Sequence, residues 1–366
     1  MSKWKCKCAK KRWATMLLVM TAGTAGIAFA ETPLSTRPVV DSTIAPYTST
    51  AQELSGRLAI VGSDTMKPLL VKLASAFSRL EPDTSIAVEG GGSKQAIRQF
   101  LVGYTSQRRG EKARTGHDGS ALPSILASSR ELTVDELKNF RSRYGHDPIV
   151  MPIALDAVTI FVHRDNPIQG LTLDQVDAIF SVARKRGLHE NIQTWGQLGL
   201  PEKWNGQPIH LHGRDKNSGT RDFFIQSALL GGELKSEVKE SSGSASEILA
   251  IANDPTAIGY AGIGYQSSYV RAVPIAEKAE MPYIKPTGEA AVDNSYPLSR
   301  LLYLYINANP TEKMDPRLTE FLRFVNSKEG QDTIVHTQYY PLTPRQVTEN
   351  LALINAVAVT TGLTAR

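Results

Sequence analysis

One unit recurs along the chain and constrains the fold more than any other feature. It consists of a short apolar run, a turn of Gly, Ser and Thr, and a helical run. Residues 57–62, RLAIVG, predict a strand, and the run that follows the next turn places Leu69, Leu73 and Phe77 on one helical face. Alternating strands and helices predict an α/β fold with mixed, mainly parallel sheets. Further units of this kind begin at residues 85, 154 and 208.

The first thirty residues form a separate segment. A basic stretch precedes an apolar stretch that is rich in Gly, Ala and Thr, and Ala28-Phe29-Ala30 then matches a small-x-small cleavage pattern. We therefore expect residues 1–30 to be a signal peptide, cleaved after Ala30, and the mature protein to be periplasmic. The competing interpretation, a membrane anchor, is disfavoured because the apolar run is short.

Loss of this segment changes the charge and the cysteine content. The full chain has 41 basic and 36 acidic residues, a net charge of +5. Six basic residues and both cysteines lie in the first thirty residues, which leaves 35 basic against 36 acidic residues, a net charge of −1. A nucleic-acid partner is therefore not expected. The mature chain has neither disulfide nor thiol chemistry.

Two segments lack apolar periodicity, and two short motifs mark helix starts. Residues 31–56 are rich in Pro, Ser and Thr and predict a flexible leader, whereas residues 104–123 predict an exposed loop. A Ser or Thr followed three residues later by Glu or Gln is the pattern of a capping box. It occurs at Thr172 with Gln175, and at Ser244 with Glu247.

Four turns place polar groups where a predicted strand ends. In open α/β sheets ligands bind outside the carboxyl ends of the strands, where helix N-termini present unpaired backbone N–H groups. Hydroxyls add donors, and arginine offers a planar fork that matches an oxyanion. Each turn alone fits an ordinary helix cap, but together they predict a cage for a small tetrahedral anion. The four turns are GSDTM (62–66), GGGSK (90–94), ASSR (127–130) and HGRDKNSGT (212–220).

Three arginines lie in or beside these turns. Arg130 and Arg214 adjoin Ser-rich turns after apolar strands, which places both near the proposed cleft. Arg221 lies inside the following helix and is predicted to be a solvated surface residue.

A set of motifs in a fixed order resembles one protein family. The motifs are AIVGSDTMKPLLVKLASAF, EGGGSKQAI, SSRELT, ALDAVTIFVHRDNP, GRDKNSGTRDFF and PLSRLLYLYIN. Over residues 56–342 the chain resembles the phosphate-specific substrate-binding proteins of bacterial ABC importers. The resemblance implies a type II-like, two-lobed periplasmic binding fold with the ligand cleft between the lobes. The lobes would be residues 57–157 with 297–366, and residues 158–296.

The resemblance also implies a ligand, a partner and a set of binding residues. The ligand is inorganic phosphate and the partner an ABC permease in the inner membrane; a monomer without cofactor or metal is expected. The implied phosphate-binding residues are Asp64, Thr65, Ser93, Ser129, Arg130, Arg214, Ser218, Gly219 and Thr220.

The sequence departs from the family at one informative position. Family members commonly carry an Asp shortly before the Ser-Arg pair, and the resemblance places Ser124 there. We hypothesise that Asp64 supplies the missing carboxylate. A carboxylate repels an anion unless a proton lies between them, so Asp64 would accept the proton of phosphate and select against sulfate.

Three alternatives remain beside the phosphate carrier. A secreted phosphatase or hydrolase could use Ser93 or Ser218 as its nucleophile, but such a serine needs a nearby base, and His210 and His212 do not obviously supply one. A binder of another oxyanion, such as sulfate or molybdate, is a variant of the main hypothesis. A secreted adhesion or matrix protein is the third. We predict a binding protein and not an enzyme.

Overall fold

The structure is a computed structural model that describes residues 38–51, 53–102, 124–309 and 312–359. The predicted signal peptide and the predicted loop at 104–123 lie outside these residues. The strands are β1 (Gly56–Gly62), β2 (Thr84–Glu89), β3 (Ile125–Ser128), β4 (Ile149–His163), β5 (Leu171–Thr172), β6 (His210–Arg214), β7 (Lys239–Ser241), β8 (Ala257–Gly262), β9 (Val270–Val273), β10 (Ile275–Ala276) and β11 (Ser299–Ile306).

Helices follow most of the strands, as the recurring unit predicts. They are α1 (Lys67–Leu80), α2 (Ser93–Val102), α3 (Val134–Tyr144), α4 (Leu173–Phe180), α5 (Gly219–Ser227), α6 (Ser244–Ala252), α7 (Gly288–Val292), α8 (Pro316–Val325), α9 (Lys328–His336) and α10 (Pro344–Val359). Short 3₁₀ turns lie at Trp195–Leu198, Glu202–Trp204 and Ile263–Tyr265. No helix within the described ranges has the length and apolar character that a membrane span requires.

The main sheet has the strand order β2-β1-β3-β11-β4-β8-β6-β7, with β9 paired to β4. The strands β1, β2 and β3 run parallel, as do β6, β7 and β8, whereas β11 is antiparallel to β3 and β4. The sheet is therefore mixed, with each parallel set formed by strand-turn-helix units. The strands β5 and β10 form a separate parallel pair.

Strand β4 joins the two parallel sets. Residues 149–157 pair with β11, and residues 158–163 pair with β8 and β9. Its interior carries Ile, Val, Leu and Phe and is almost entirely buried, as expected for a central strand. We call β1, β2, β3, β11 and residues 149–157, with the turns and helices that follow these strands, the first half. We call β6 to β9 and residues 158–163, with the turns and helices that follow them, the second half.

Part of the segment predicted to be a flexible leader is packed onto the first half. Val40, Ile44 and Leu54 are buried in the main core. The ring of Tyr47 meets the ring of Phe324 edge-on, with centroids 5.8 Å apart, and the Tyr47 backbone N–H donates to the Glu329 carboxylate. The apolar residues of this segment have no regular period because its described residues before β1 form neither helix nor strand and pack singly into the core.

The two predicted capping boxes have different outcomes. Thr172 Oγ1 accepts a hydrogen bond from the Gln175 N–H, and the Gln175 side chain accepts one from the Thr172 N–H, so this prediction is confirmed. The prediction for Ser244 and Glu247 is wrong, because α6 starts after Gly243 without a side-chain cap. Both side chains are buried and contact other groups, described below.

Candidate anion-binding site

The four predicted turns meet, and their hydroxyls contact one another. Thr65 Oγ1 and Thr220 Oγ1 are 2.6 Å apart, and Ser93 Oγ is 3.3 Å from Ser129 Oγ. Ser63 Oγ donates to Ser129 Oγ at 2.9 Å. Each of these residues is at most 3% exposed. We call Ser63, Thr65, Ser93, Ser129 and Thr220 the hydroxyl cluster.

The topology explains why these turns converge. The parallel strands β1 and β3 are neighbours, so the turns after them lie at the same edge of the sheet, where the Ser63 N–H donates to the Ala127 carbonyl. Helix α2 begins at Ser93 itself. From the second half, Ser218 Oγ caps α5 by accepting the Arg221 N–H, which places Gly219 and Thr220 in its first turn. The cluster therefore contains residues of both halves.

Two glycines allow the halves to approach this closely. A Cβ on Gly219 would lie 2.5 Å from Ser93 Oγ and 2.8 Å from Ser129 Oγ. A Cβ on Gly92, whose φ is +84°, would lie 2.6 Å from the Asn217 carbonyl oxygen. Any side chain at either position would collide with the opposite half, so glycine is required by the close approach.

Arg214 lies buried beside the cluster at the end of β6. It is 1% exposed. Its Nη1 donates to Ser244 Oγ at 2.6 Å, its Nη2 donates to the Ser242 carbonyl, and its Nε has no hydrogen-bond partner in the described residues. A buried guanidinium with an unsatisfied N–H is a group that an anion could complete.

Asp64 faces Arg214 from the first half. Its Oδ2 is 3.6 Å from Arg214 Nη2, and its Oδ1 accepts the Gly91 N–H at 3.1 Å. The Tyr265 hydroxyl donates to the Asp64 backbone carbonyl at 2.6 Å. The carboxylate thus lies beside the predicted anion site and is held there by a backbone donor.

Arg300 is a buried arginine of the site that the sequence reasoning missed. Its Nη2 donates to Thr220 Oγ1 at 3.0 Å and its Nη1 donates to the Ser129 carbonyl at 2.9 Å. The same side chain pairs with Asp156, which is fully buried and also accepts the Ile263 N–H. The sequence held a signal for this pair, because Asp156 lies inside a mainly apolar run and Arg300 directly precedes another, residues 301–306, and buried charges require partners.

Arg130 pairs with two carboxylates and not with the hydroxyl cluster in the part of the chain that the structure describes. Its Nη1 and Nη2 donate to the two oxygens of Glu136 at 2.8 and 2.9 Å, and its Nε donates to Asp222 at 3.2 Å. In the described part of the chain, its guanidinium donates to none of the hydroxyl cluster. The hydrogen bonds to Glu136 raise the pKa of Arg130 more than the charge of Glu136 does. The structure therefore places Arg130 at the edge of the site and not at its centre.

Arg221 also differs from its predicted role as a solvated residue. Its Nη1 donates to the Arg214 carbonyl at 3.0 Å and pairs with Glu240. The side chain therefore ties the start of α5 to the end of β6 and supports the turn that carries Arg214.

The carboxyl group of Glu247 is fully buried and close enough to Arg214 to feel its charge. Glu247 Oε1 accepts the Tyr260 N–H at 3.0 Å, and Oε2 has no hydrogen-bond partner in the described residues. Burial raises the pKa of Glu247 to about 8, against the opposing effects of the Arg214 charge and the Tyr260 N–H. Tyr260 in turn accepts the Arg214 N–H at its hydroxyl and stacks on Phe224 with centroids 3.9 Å apart.

The histidines near the site give little support to an enzyme. His210 Nδ1 is 2.6 Å from Asp254, and His212 is buried with a pKa that burial, and then Lys239, lower. Among the hydrogen bonds of the described residues, none joins a histidine to Ser93 or Ser218. Within the described ranges, neither serine therefore has an imidazole base in hydrogen-bond contact.

Comparisons with known proteins identify the class. Residues 48–329 match the model of the PBP superfamily domain. Over 334 residues the chain is 36% identical to the phosphate-binding protein PstS of Pseudomonas aeruginosa, with 91% of this chain and 96% of the relative covered. The chain therefore belongs to the PBP superfamily and, within it, to the family of the phosphate-binding protein PstS.

Solved structures agree on the fold. A protein from Clostridium perfringens, crystallised with bound phosphate, is 24% identical with a TM-score of 0.62, covering 79% of this chain and all of that one. An ABC-type phosphate transport receptor from Vibrio cholerae is 24% identical with a TM-score of 0.56, covering 78% of this chain and all of that one. The predicted two-lobed α/β periplasmic binding fold with mixed sheets is thereby confirmed.

Proposed function

We propose that this protein is a periplasmic carrier that binds inorganic phosphate at the hydroxyl cluster and delivers it to an ABC permease. One observation carries the proposal: hydroxyls from four strand-to-helix turns converge beside two buried arginines, Arg214 and Arg300. The relatives named as phosphate-binding proteins support the choice of ligand. We assign no catalytic step.

The geometry supports a proposed set of binding residues. The proposal retains Asp64, Thr65, Ser93, Ser129, Arg214, Ser218, Gly219 and Thr220, and adds Arg300. Charge-assisted hydrogen bonds from Arg214 and backbone N–H groups at the start of α2 and α5 would hold the oxygens. The proposed lobes are residues 57–157 with 297–366 and residues 158–296, and the carrier acts as a monomer after cleavage at Ala30.

Calorimetry on the mature protein, stripped of endogenous ligand, tests the binding function. We expect phosphate to bind and sulfate and molybdate to bind much more weakly. Ser93→Ala should weaken phosphate binding by about 10-fold or more, because a hydrogen bond to a charged group is lost. Ser327→Ala is the matched control, since Ser327 is buried at the start of α9, where its hydroxyl donates to the Phe324 carbonyl and accepts the Gly330 N–H.

Two outcomes would contradict the proposal. If the stripped protein binds none of the three anions, the binding function is wrong. If it turns over a chromogenic phosphate ester, the enzyme alternative replaces it.

The role of Asp64 in selectivity needs a separate variant. Asp64→Asn retains the oxygen that accepts the Gly91 N–H and removes the negative charge. We expect the ratio of phosphate to sulfate affinity to fall by about 10-fold, because the carboxylate no longer rejects an anion without a proton. An unchanged ratio would show that another group provides the selectivity.

A further inference from the structure

Two serines of the hydroxyl cluster are each followed by a cation, and both cations bind the same carboxylate. Lys94 follows Ser93 and its Nζ lies 2.8 Å from Asp222 Oδ1; Arg130 follows Ser129 and its Nε lies 3.2 Å from Asp222 Oδ2. Asp222 lies in the first turn of α5, two residues after Thr220. One carboxylate of the second half thus holds the two cations that adjoin the cluster serines of the first half.

Glu136 keeps the Arg130 guanidinium in this position. It accepts hydrogen bonds from both terminal nitrogens, which leaves Nε directed at Asp222. Glu136 itself is fixed by the capping box of α3, where its side chain accepts the Thr133 N–H. The Arg130 side chain is 11% exposed, so it is held in one orientation more firmly than a surface arginine.

A backbone contact lies beside these ion pairs. The Lys94 N–H donates to the Asn217 carbonyl at 3.1 Å, at the point where Gly92 permits the close approach. Ser93, Ser129 and Thr220 are each fully buried. We therefore expect an anion to reach these hydroxyls by separation of the halves, which would break both ion pairs of Asp222 and the Lys94 contact.

We propose that Asp222 is a positioning residue that closes the two halves over the bound anion, and that Arg130 and Lys94 serve this closure instead of contacting the anion. The inference rests on the proposed phosphate-binding function and deepens it. Each contact that forms on closure adds to the retention of the ligand, since affinity includes the free energy of the conformational equilibrium. Partly exposed ion pairs are screened by salt, so closure weakens as the ionic strength rises.

Phosphate dissociation rates and affinities of the mature protein and of Asp222→Asn test this role. We expect Asp222→Asn to bind phosphate about 5- to 50-fold more weakly, within the usual range of coupling between a ligand and a conformational change. The loss should lie mainly in a faster dissociation rate, and the melting temperature without phosphate should change little. The affinity of the variant should also depend less on salt than that of the wild type.

Glu277→Gln is the matched control. It removes a carboxylate that pairs at 3.1 Å with Arg186, whose side chain is 12% exposed and thus as buried as that of Arg130. Since the Arg186 guanidinium donates to Glu277 and to the Ala228 and Ser227 carbonyls, away from the hydroxyl cluster, the control should retain wild-type affinity and dissociation rate.

A double-mutant cycle separates closure from direct anion contact. If Arg130 acts through Asp222, Arg130→Met combined with Asp222→Asn should weaken binding little more than either change alone. Additive losses would show that Arg130 contacts the anion, and wild-type dissociation from Asp222→Asn would overturn the role of Asp222. If the wild-type protein binds no phosphate, it is the proposed function that fails.

Discussion

The turns ASSR and GRDKNSGT look alike in sequence but place their arginines differently. In both, serine and arginine follow a buried strand at the edge of the sheet. Arg214 is buried among Ser244, the Ser242 carbonyl and Tyr260, with Asp64 3.6 Å away. Arg130 instead meets Glu136 and Asp222 in direct hydrogen bonds. The groups that surround an arginine therefore decide whether its charge is available to a ligand.

The largest expected effect distinguishes the two arginines. Arg214→Met should weaken phosphate binding by about 100-fold or more, because truncating one partner of a buried, charge-assisted contact costs several kcal/mol. Arg130→Met should weaken it less, since its charge is already matched by two carboxylates. Calorimetry on both variants checks this order. Equal losses would mean that the two turns act alike, contrary to their geometry.

Gly219→Ala tests the contact between the turns with a smaller expected effect. The added Cβ would lie 2.5 Å from Ser93 Oγ and 2.9 Å from Ser93 Cβ. Rotation of the hydroxyl cannot relieve the second contact, so the halves must separate slightly, and overpacking of this kind costs about 1–3 kcal/mol. We expect phosphate affinity to fall by about 10-fold, measured by calorimetry. An unchanged affinity would show that the halves are not in contact at Gly219 when phosphate is bound.

The last expected effect is on stability and not on phosphate affinity: it concerns the surroundings of Arg214 and depends on pH. Burial raises the pKa of Glu247 to about 8 from an ordinary value of 4.5. The folded state therefore keeps a proton that the unfolded state has lost, and this group's stabilisation decreases as the pH rises from about 4.5 to about 8. Glu247→Gln removes the titrating group, so the variant should gain stability relative to the wild type over this range.

Urea unfolding at several pH values measures the difference. We expect the free energy of unfolding of Glu247→Gln, minus that of the wild type, to increase by about 1–3 kcal/mol between pH 5 and 8.5. A constant difference would show that Glu247 does not titrate in this range, and that the surroundings of Arg214 keep one charge state.

The two capping motifs show when a local sequence pattern is enough to predict a helix cap. Thr172 with Gln175 and Ser244 with Glu247 have the same spacing, but only the first pair caps its helix. Ser244 instead accepts from Arg214, and Glu247 accepts the Tyr260 N–H. In the first pair, hydrogen bonds between neighbouring residues form the cap. In the second, a buried arginine thirty residues away binds the serine side chain instead.

The pair Arg300 and Asp156 shows which part of the site the sequence could not predict. Asp156 is a single charge inside a mainly apolar run and Arg300 directly precedes one, which indicates buried and partnered groups. Their partnership depends on β4 and β11 lying side by side in register, where Arg300 is opposite Asp156. That register follows from the arrangement of the sheet, so sequence separation alone could not reveal that Arg300 also donates to Thr220.

Neighbouring residues were enough to predict two things from the sequence: the alternation of strand, turn and helix, and the four polar turns at strand ends. Apolar periodicity and turn chemistry act over a few residues and can be read directly. Three outcomes required the folded structure: which arginine faces the hydroxyls and which pairs with carboxylates, where glycines permit the close approach of distant turns, and that part of residues 38–56 packs onto the core. These outcomes depend on burial and on charges brought together from distant parts of the chain, where electrostatic and packing energies are set by neighbours in space.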